Sequence, residues 1–153
     1  MEIRFCLEWL ESRRTLNSKT FKSEAARTLF LEYIDRISRF VSCRAVGSIS
    51  GLEVKKSGSK TWVCDRSPGA RELSSEELAL RLEKLQDSGV RELNIVIGGP
   101  DGLSKKEIEE LSPDLRWNFG PMTLPHELAA VVASEQIYRA WTIIKHMPYH
   151  SGH

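Results

Sequence analysis

Glycine is the residue in this chain best placed to do chemistry, because a backbone without Cβ lets a ligand reach main-chain amides and carbonyls directly. The relevant stretch runs from Leu93 to Ser104, Leu-Asn-Ile-Val-Ile-Gly-Gly-Pro-Asp-Gly-Leu-Ser. Ile95, Val96 and Ile97 read as a buried strand of a parallel sheet. Gly98 and Gly99 follow, and Pro100, Asp101 and Gly102 bend the chain. Ser104 then stands three residues before Glu107, the spacing of a capping box at a helix start. Strand, glycine loop and helix in that order make a candidate small-molecule site; a plain turn out of a strand is the competing reading. The stretch is not a phosphate loop, because no Gly-Lys-Ser/Thr follows, and the G-x-G-x-x-G spacing of a dinucleotide site is absent.

The remaining reactive side chains are few. Glu135 and Arg139 stand four apart in a helical stretch, the spacing of an ion pair. His146 and His150 are also four apart, but Pro148 between them breaks the helix that would align them, so no metal site is expected. Tyr149 and His150 lie in the tail after Pro148. His126 directly follows Pro125 at a helix start, where packing, capping or RNA contact are all open to it. Cys6, Cys43 and Cys64 are odd in number and form no C-x-x-C pair, which fits a reduced compartment.

These residues need positioning, and the pattern around them supplies the elements. Glu2–Leu7 reads as a first strand with Ile3, Phe5 and Leu7 on one face, and Glu8–Lys19 as a loop. Thr20–Phe40 has apolar residues at helical spacing, Phe21, Ala25, Leu29, Tyr33, Ile37 and Phe40, and is predicted as a long amphipathic helix. Val41–Ile49 reads as a second strand, Ser50–Lys60 as a flexible connection, Thr61–Asp65 as a third strand and Arg66–Arg71 as a turn. A hydroxyl cap at Ser74-Ser75 opens a helix that Gly89 stops. Glu92–Ile97 is the fourth strand, Lys105–Leu111 a short helix and Leu115–Phe119 a fifth strand. His126 to about Lys145 is a final helix with apolar residues on more than one side, which implies burial on more than one side and suggests a homodimer interface.

Alternating strands and helices define an α/β domain with a largely parallel sheet. Ligands in such sheets bind beyond the carboxyl ends of the strands. Three segments leave that edge: the turn after Cys64, the loop at Gly98, and Phe119–Leu124. They are expected to build one pocket. At 153 residues the chain reads as a single domain over 1–153. Its 22 basic and 21 acidic side chains nearly cancel, so overall charge does not point to nucleic acid. No apolar run is long enough to span a membrane and no signal-peptide layout stands at the start, so a cytoplasmic location is expected.

Four motifs, in order, resemble one family: Val96–Ser104, Met122-Thr-Leu-Pro-His-Glu-Leu128, Glu135-Gln-Ile-Tyr-Arg-Ala-Trp141 and Pro148-Tyr-His150. They are similar to the ribosomal RNA large subunit methyltransferase H family of the SPOUT class. The resemblance covers roughly Thr61 to His150. It implies an α/β fold with a mostly parallel sheet, helices on both faces, a C-terminal trefoil knot and a homodimer. It further implies S-adenosylmethionine as methyl donor and, as acceptor, N3 of a pseudouridine in large-subunit (23S) rRNA of assembled ribosomes, of the pseudouridine-1915 type. Carried over by position, cofactor contacts fall at Cys64, where the family usually has Leu, at Gly98, and at Phe119, Gly120, Pro121, Met122, Thr123 and Leu124. Arg139 would stabilise an imide anion, His150 would accept the proton and Glu135 would orient Arg139.

The first half departs from the family. Cys6-Leu-Glu-Trp-Leu stands where members usually have a Gly-Lys, the connection from the second strand to Thr61 is much shorter, and Gly69-Ala70-Arg71 replaces the later Gly-Lys with an added residue. These departures motivate a competing reading, a knotted RNA-binding or ribosome-associated dimer without catalysis.

Overall fold

The computed structural model describes residues 1–11, 16–49 and 56–151. In chain order the elements are β1 (Glu2–Leu7), α1 (Glu24–Ile37), β2 (Ser42–Val46), β3 (Ser59–Cys64), β4 (Arg71–Glu72), α2 (Ser75–Asp87), β5 (Glu92–Ile97), α3 (Lys105–Leu111), β6 (Leu115–Asn118) and α4 (His126–Ile144). The six strands form one sheet in the order β2-β1-β5-β3-β6-β4. All the strand pairings are parallel.

Strand alternation divides the interior into two layers. Phe5, Ile95, Trp62 and Leu115 lie side by side in register across the four middle strands. With Ile3, Leu7 and Ile97 they face the main core, which α1, α2 and α4 complete. The intervening residues Cys6, Val96 and Val63 face the other way, onto Ile108 and Leu111 of α3. Helices therefore cover both faces, and the carboxyl-terminal halves of β1 and β5 run apolar, Phe5–Leu7 and Ile95–Ile97, because both of their sides are buried.

Helix α4 packs between α1 and α2. This accounts for its many-sided apolarity within one chain: Ala130, Ala133, Ile137, Ala140 and Trp141 are all fully buried. Exposed apolar side chains remain at Leu29 (41%), Met122 (74%) and Leu128 (47%). Among the described residues no helix is long and apolar enough to cross a membrane.

Several element boundaries differ from the sequence expectation. Helix α1 starts at Glu24 rather than Thr20, because the Ser23 side chain accepts from the Ala26 amide and caps it there. Its buried stripe runs through Phe30 and Ile37, and the expected stripe members Ala25 and Leu29 face outward. Strand β2 ends at Val46 instead of Ile49; Gly47 there packs so close to the Glu11 carbonyl that a Cβ would sit 2.0 Å from its oxygen. Of the expected connection Ser50–Lys60, residues 50–55 lie outside the described ones, and Ser59 and Lys60 already belong to β3. Arg71 closes the expected turn but pairs with Trp117 in the two-residue edge strand β4. The capping boxes of α2 and α3 form as Ser74 with Glu77 and Ser104 with Glu107.

The start of α4 is tied to the start of α1 by one carboxylate. Glu127 accepts from the amides of Lys22 and Ser23, both at 2.9 Å. Burial opposes its charged form, the two amide bonds outweigh that, and the net effect holds the carboxyl below its usual pKa. The resulting stabilisation is fully present above the ordinary carboxyl value of 4.5 and is lost as pH falls through the lower folded-state value. Glu127→Ala is expected to lose about 2–3 kcal/mol in urea unfolding at pH 7. The gap between wild type and variant should stay constant down to about pH 5 and narrow below it.

Candidate functional site

All strands point the same way, so the three segments that follow β3, β5 and β6 emerge on one edge and line a single cavity of about 740 Å³. Its walls include Cys64, Gly98, Phe119, Met122, Thr123 and Leu124. Six of the eight expected cofactor positions thus meet at one place, while Gly120 and Pro121 lie in the same loop without lining it. The size suits a nucleoside with an amino-acid tail.

Each wall has a local cause. Beyond β5 the chain closes a tight turn, with the Gly102 amide donating to the Gly99 carbonyl at 2.9 Å. A Cβ on Gly98 would lie 3.0 Å from the Gly102 carbonyl carbon, tighter than an ordinary Cβ contact, so a side chain there would press the turn out of place by a few tenths of an ångström. Beyond β6, Gly120 adopts φ of 108°, where a side chain is strained, and its amide donates to Asn118 Oδ1 at 2.9 Å. The floor is aromatic, with Trp117 buried and edge-on to Phe119 at 4.7 Å. Burial pushes the Cys64 thiol well up, so this wall presents a neutral, weakly polar sulfur.

Residues not singled out in the sequence tie the loops together. Arg66 donates from Nη1 to the Pro121 carbonyl (3.2 Å) and to Thr123 Oγ1 (2.8 Å). Arg116 donates to Ser67 Oγ at 2.8 Å and to the Pro68 carbonyl at 3.1 Å, and it also pairs with Asp65. No motif marks these arginines; they become visible only when the loops are seen together. His126 lines the cavity and packs edge-on against Trp9, ring centres 4.6 Å apart. Trp9 also backs Gly99 and donates its indole proton to the Thr20 carbonyl at 2.7 Å.

Glu135, Arg139 and His150 come together elsewhere. Arg139 donates from Nε and Nη2 to Glu135 Oε1, at 3.0 and 2.6 Å. Its Nη1 lies 3.2 Å from His150 Nδ1. Tyr149 donates to Glu135 Oε1 at 3.1 Å, and Arg139 lies 4.9 Å from its ring centre. Burial, with the neighbouring Tyr33 and Glu135, pushes the Tyr149 phenol up and keeps it a donor. Burial works against the Arg139 cation, yet the Glu135 hydrogen bond and charge outweigh it and hold the guanidinium protonated. From Ala129, which lines the cavity, to Arg139 is ten residues of α4, about 15 Å along the axis at 1.5 Å per residue. Within one chain the cavity and the Arg139 cluster are separate places.

Residues 49–150 match the family described as "Predicted SPOUT methyltransferase". A probable methylase family protein from Haemophilus influenzae Rd KW20 shares the fold, with a TM-score of 0.56 over 96% of this chain and 69% of that one at 11% identity. The parallel sheet with its three-loop cavity is thus the scaffold of a SPOUT-class methyltransferase. Ribosomal RNA large subunit methyltransferase H of Koribacter versatilis is 38% identical over 144 residues, 86% of this chain and 92% of that protein. The protein of the same name from Stenotrophomonas maltophilia strain K279a is 51% identical over 83 residues, 54% of this chain and about half of its own length (51%). The chain belongs to the ribosomal RNA large subunit methyltransferase H family.

Proposed function

We propose that this chain, as one domain over 1–153, methylates N3 of a pseudouridine in large-subunit rRNA of the assembled ribosome, with S-adenosylmethionine as donor. The observation that carries the reading is the meeting of Cys64, Gly98 and the 119–124 loop around one cofactor-sized cavity at the carboxyl edge of the sheet. The cofactor supplies an electrophilic methyl group. The protein's part is to hold donor and acceptor in line and to manage the acceptor's proton. In this reading Arg139 stabilises the imide anion, His150 takes the proton and Glu135 orients Arg139, the last supported by its hydrogen bonds to Arg139.

The distance along α4 supports a homodimer in which the Arg139 cluster of one copy serves the cavity of the other. The exposed Leu29 and Leu128, which line an apolar groove of about 500 Å³ between the starts of α1 and α4, offer a surface for that contact. In this reading the chain after β5 is threaded as the trefoil knot of its class, and the protein works in the cytoplasm, where ribosomes are.

The test uses ribosomes from a strain lacking this protein, incubated with it and methyl-labelled S-adenosylmethionine. One labelled methyl per large subunit, mapped by mass spectrometry to N3 of a pseudouridine, is the expected result. Sedimentation should give the mass of two chains. Absence of cofactor binding at millimolar concentration would leave the chain an RNA-binding dimer without catalysis.

A further inference from the structure

A circuit of hydrogen bonds around Arg139 begins and ends on adjacent residues of α2. Ser75 Oγ donates to Gln136 Oε1 at 2.7 Å, and Gln136 Nε2 donates to Glu135 Oε2 at 2.8 Å. Glu135 Oε1 accepts from Arg139, whose Nη1 reaches His150 Nδ1 at 3.2 Å. His150 Nε2 then meets Glu76 Oε1 at 2.7 Å, next to the starting Ser75.

The chemistry of the two end groups decides the state of the imidazole between them. A guanidinium only donates, so His150 Nδ1 must present its lone pair to Arg139. A carboxylate only accepts, so His150 Nε2 must carry the proton. Glu76 lies in the first turn of α2, whose positive end favours an anion. The His150 hydrogen bond also holds the Glu76 carboxyl below its usual pKa.

We propose that Glu76 is a positioning residue that fixes the Nε2–H tautomer and the ring orientation of His150, leaving Nδ1 as the nitrogen able to accept a proton. Its catalytic consequence rests on the function proposed above; the tautomer does not. In that reaction the acceptor N3–H bond breaks, its electron pair stays on N3 and a new Nδ1–H bond forms. Arg139 turns from Nδ1 toward the nascent anion, and Glu76 faces the imidazolium. Both partners are partly exposed, His150 by 32% and Glu76 by 63% of the side chain, so their contact adds little to stability and its role is orientation.

The experiment is long-range proton–nitrogen spectroscopy on the full-length protein labelled at histidine, in wild type and in Arg139→Ala carrying Glu76, Glu76→Ala or Glu76→Gln. Wild type should show His150 as the Nε2–H form. Because Arg139 alone also demands the Nδ1 lone pair, the Glu76 variants are compared in an Arg139→Ala background: with Glu76, or with Glu76→Gln, which keeps an acceptor oxygen, the Nε2–H form should be retained, and with Glu76→Ala mixed tautomers should appear. An unchanged tautomer in the Arg139→Ala/Glu76→Ala double variant overturns the proposal, whether or not the protein methylates rRNA. In the ribosome assay Glu76→Ala should lower kcat about 10-fold with cofactor affinity unchanged, and Glu76→Gln should recover most of that loss. A changed tautomer with unchanged kcat overturns the catalytic half alone.

Discussion

Gly98→Val is expected to abolish S-adenosylmethionine binding while the protein stays folded. A Cβ at this position lies 3.0 Å from the Gly102 carbonyl carbon, 3.1 Å from its Cα and 3.2 Å from Leu103 Cγ. The first two are backbone atoms and cannot step aside as a side-chain tip does. Valine adds two methyl groups beyond that Cβ, stiff about χ1, so no rotamer relieves the contact. The turn is expected to shift, straining the 2.9 Å hydrogen bond from Gly102 to Gly99 and moving the wall formed by Pro100 to Leu103, while the valine methyls project into the space a donor would occupy. The main core lies on the other side of β5 and is spared. Calorimetry should show affinity reduced at least about 100-fold, equivalent to about 2.7 kcal/mol. The cooperative unfolding transition should persist. Retained affinity would place the donor site away from this loop.

The features readable in the sequence are those that local chemistry controls. The Ile95–Ile97 run and the Ser104–Glu107 spacing lead to β5 and a formed capping box, because apolar runs and hydroxyl caps act within a few residues. Strand polarity likewise placed the loops after Cys64, Ile97 and Asn118 on one edge. What depends on distant neighbours was not legible. Strand β4 is two residues long and exists only because Trp117 and Asn118 lie beside it. Gly47 has no motif of its own, yet the Glu11 carbonyl excludes a side chain there. The outward turn of Leu29 is set by where α4 crosses α1, which helical spacing alone does not encode. Glu76 and His150 are 74 positions apart and become partners only through the packing of α2 on α4.

Arg139→Ala should have the opposite signature to Gly98→Val, with cofactor affinity kept and turnover lost. Its guanidinium is the cation at the centre of the cluster, bonded to Glu135 and His150 and lying against the Tyr149 ring. Removing a preorganised donor to a developing anion typically lowers kcat by about 10²–10³-fold, and the proposed cofactor cavity, about 15 Å away along α4, is untouched. Arg139→Lys keeps the charge but loses the planar fork, so its turnover should fall between the two. The pair of variants also tests whether the site is shared between copies. In a heterodimer of one Gly98→Val and one Arg139→Ala subunit, the intact cavity of the latter faces the intact Arg139 cluster of the former. Mixing two nearly inactive proteins should then restore up to about a quarter of wild-type turnover, since half the dimers are mixed and each has one complete site. If cavity and cluster instead acted within a single chain, both subunits of every dimer would stay defective and mixing would restore nothing.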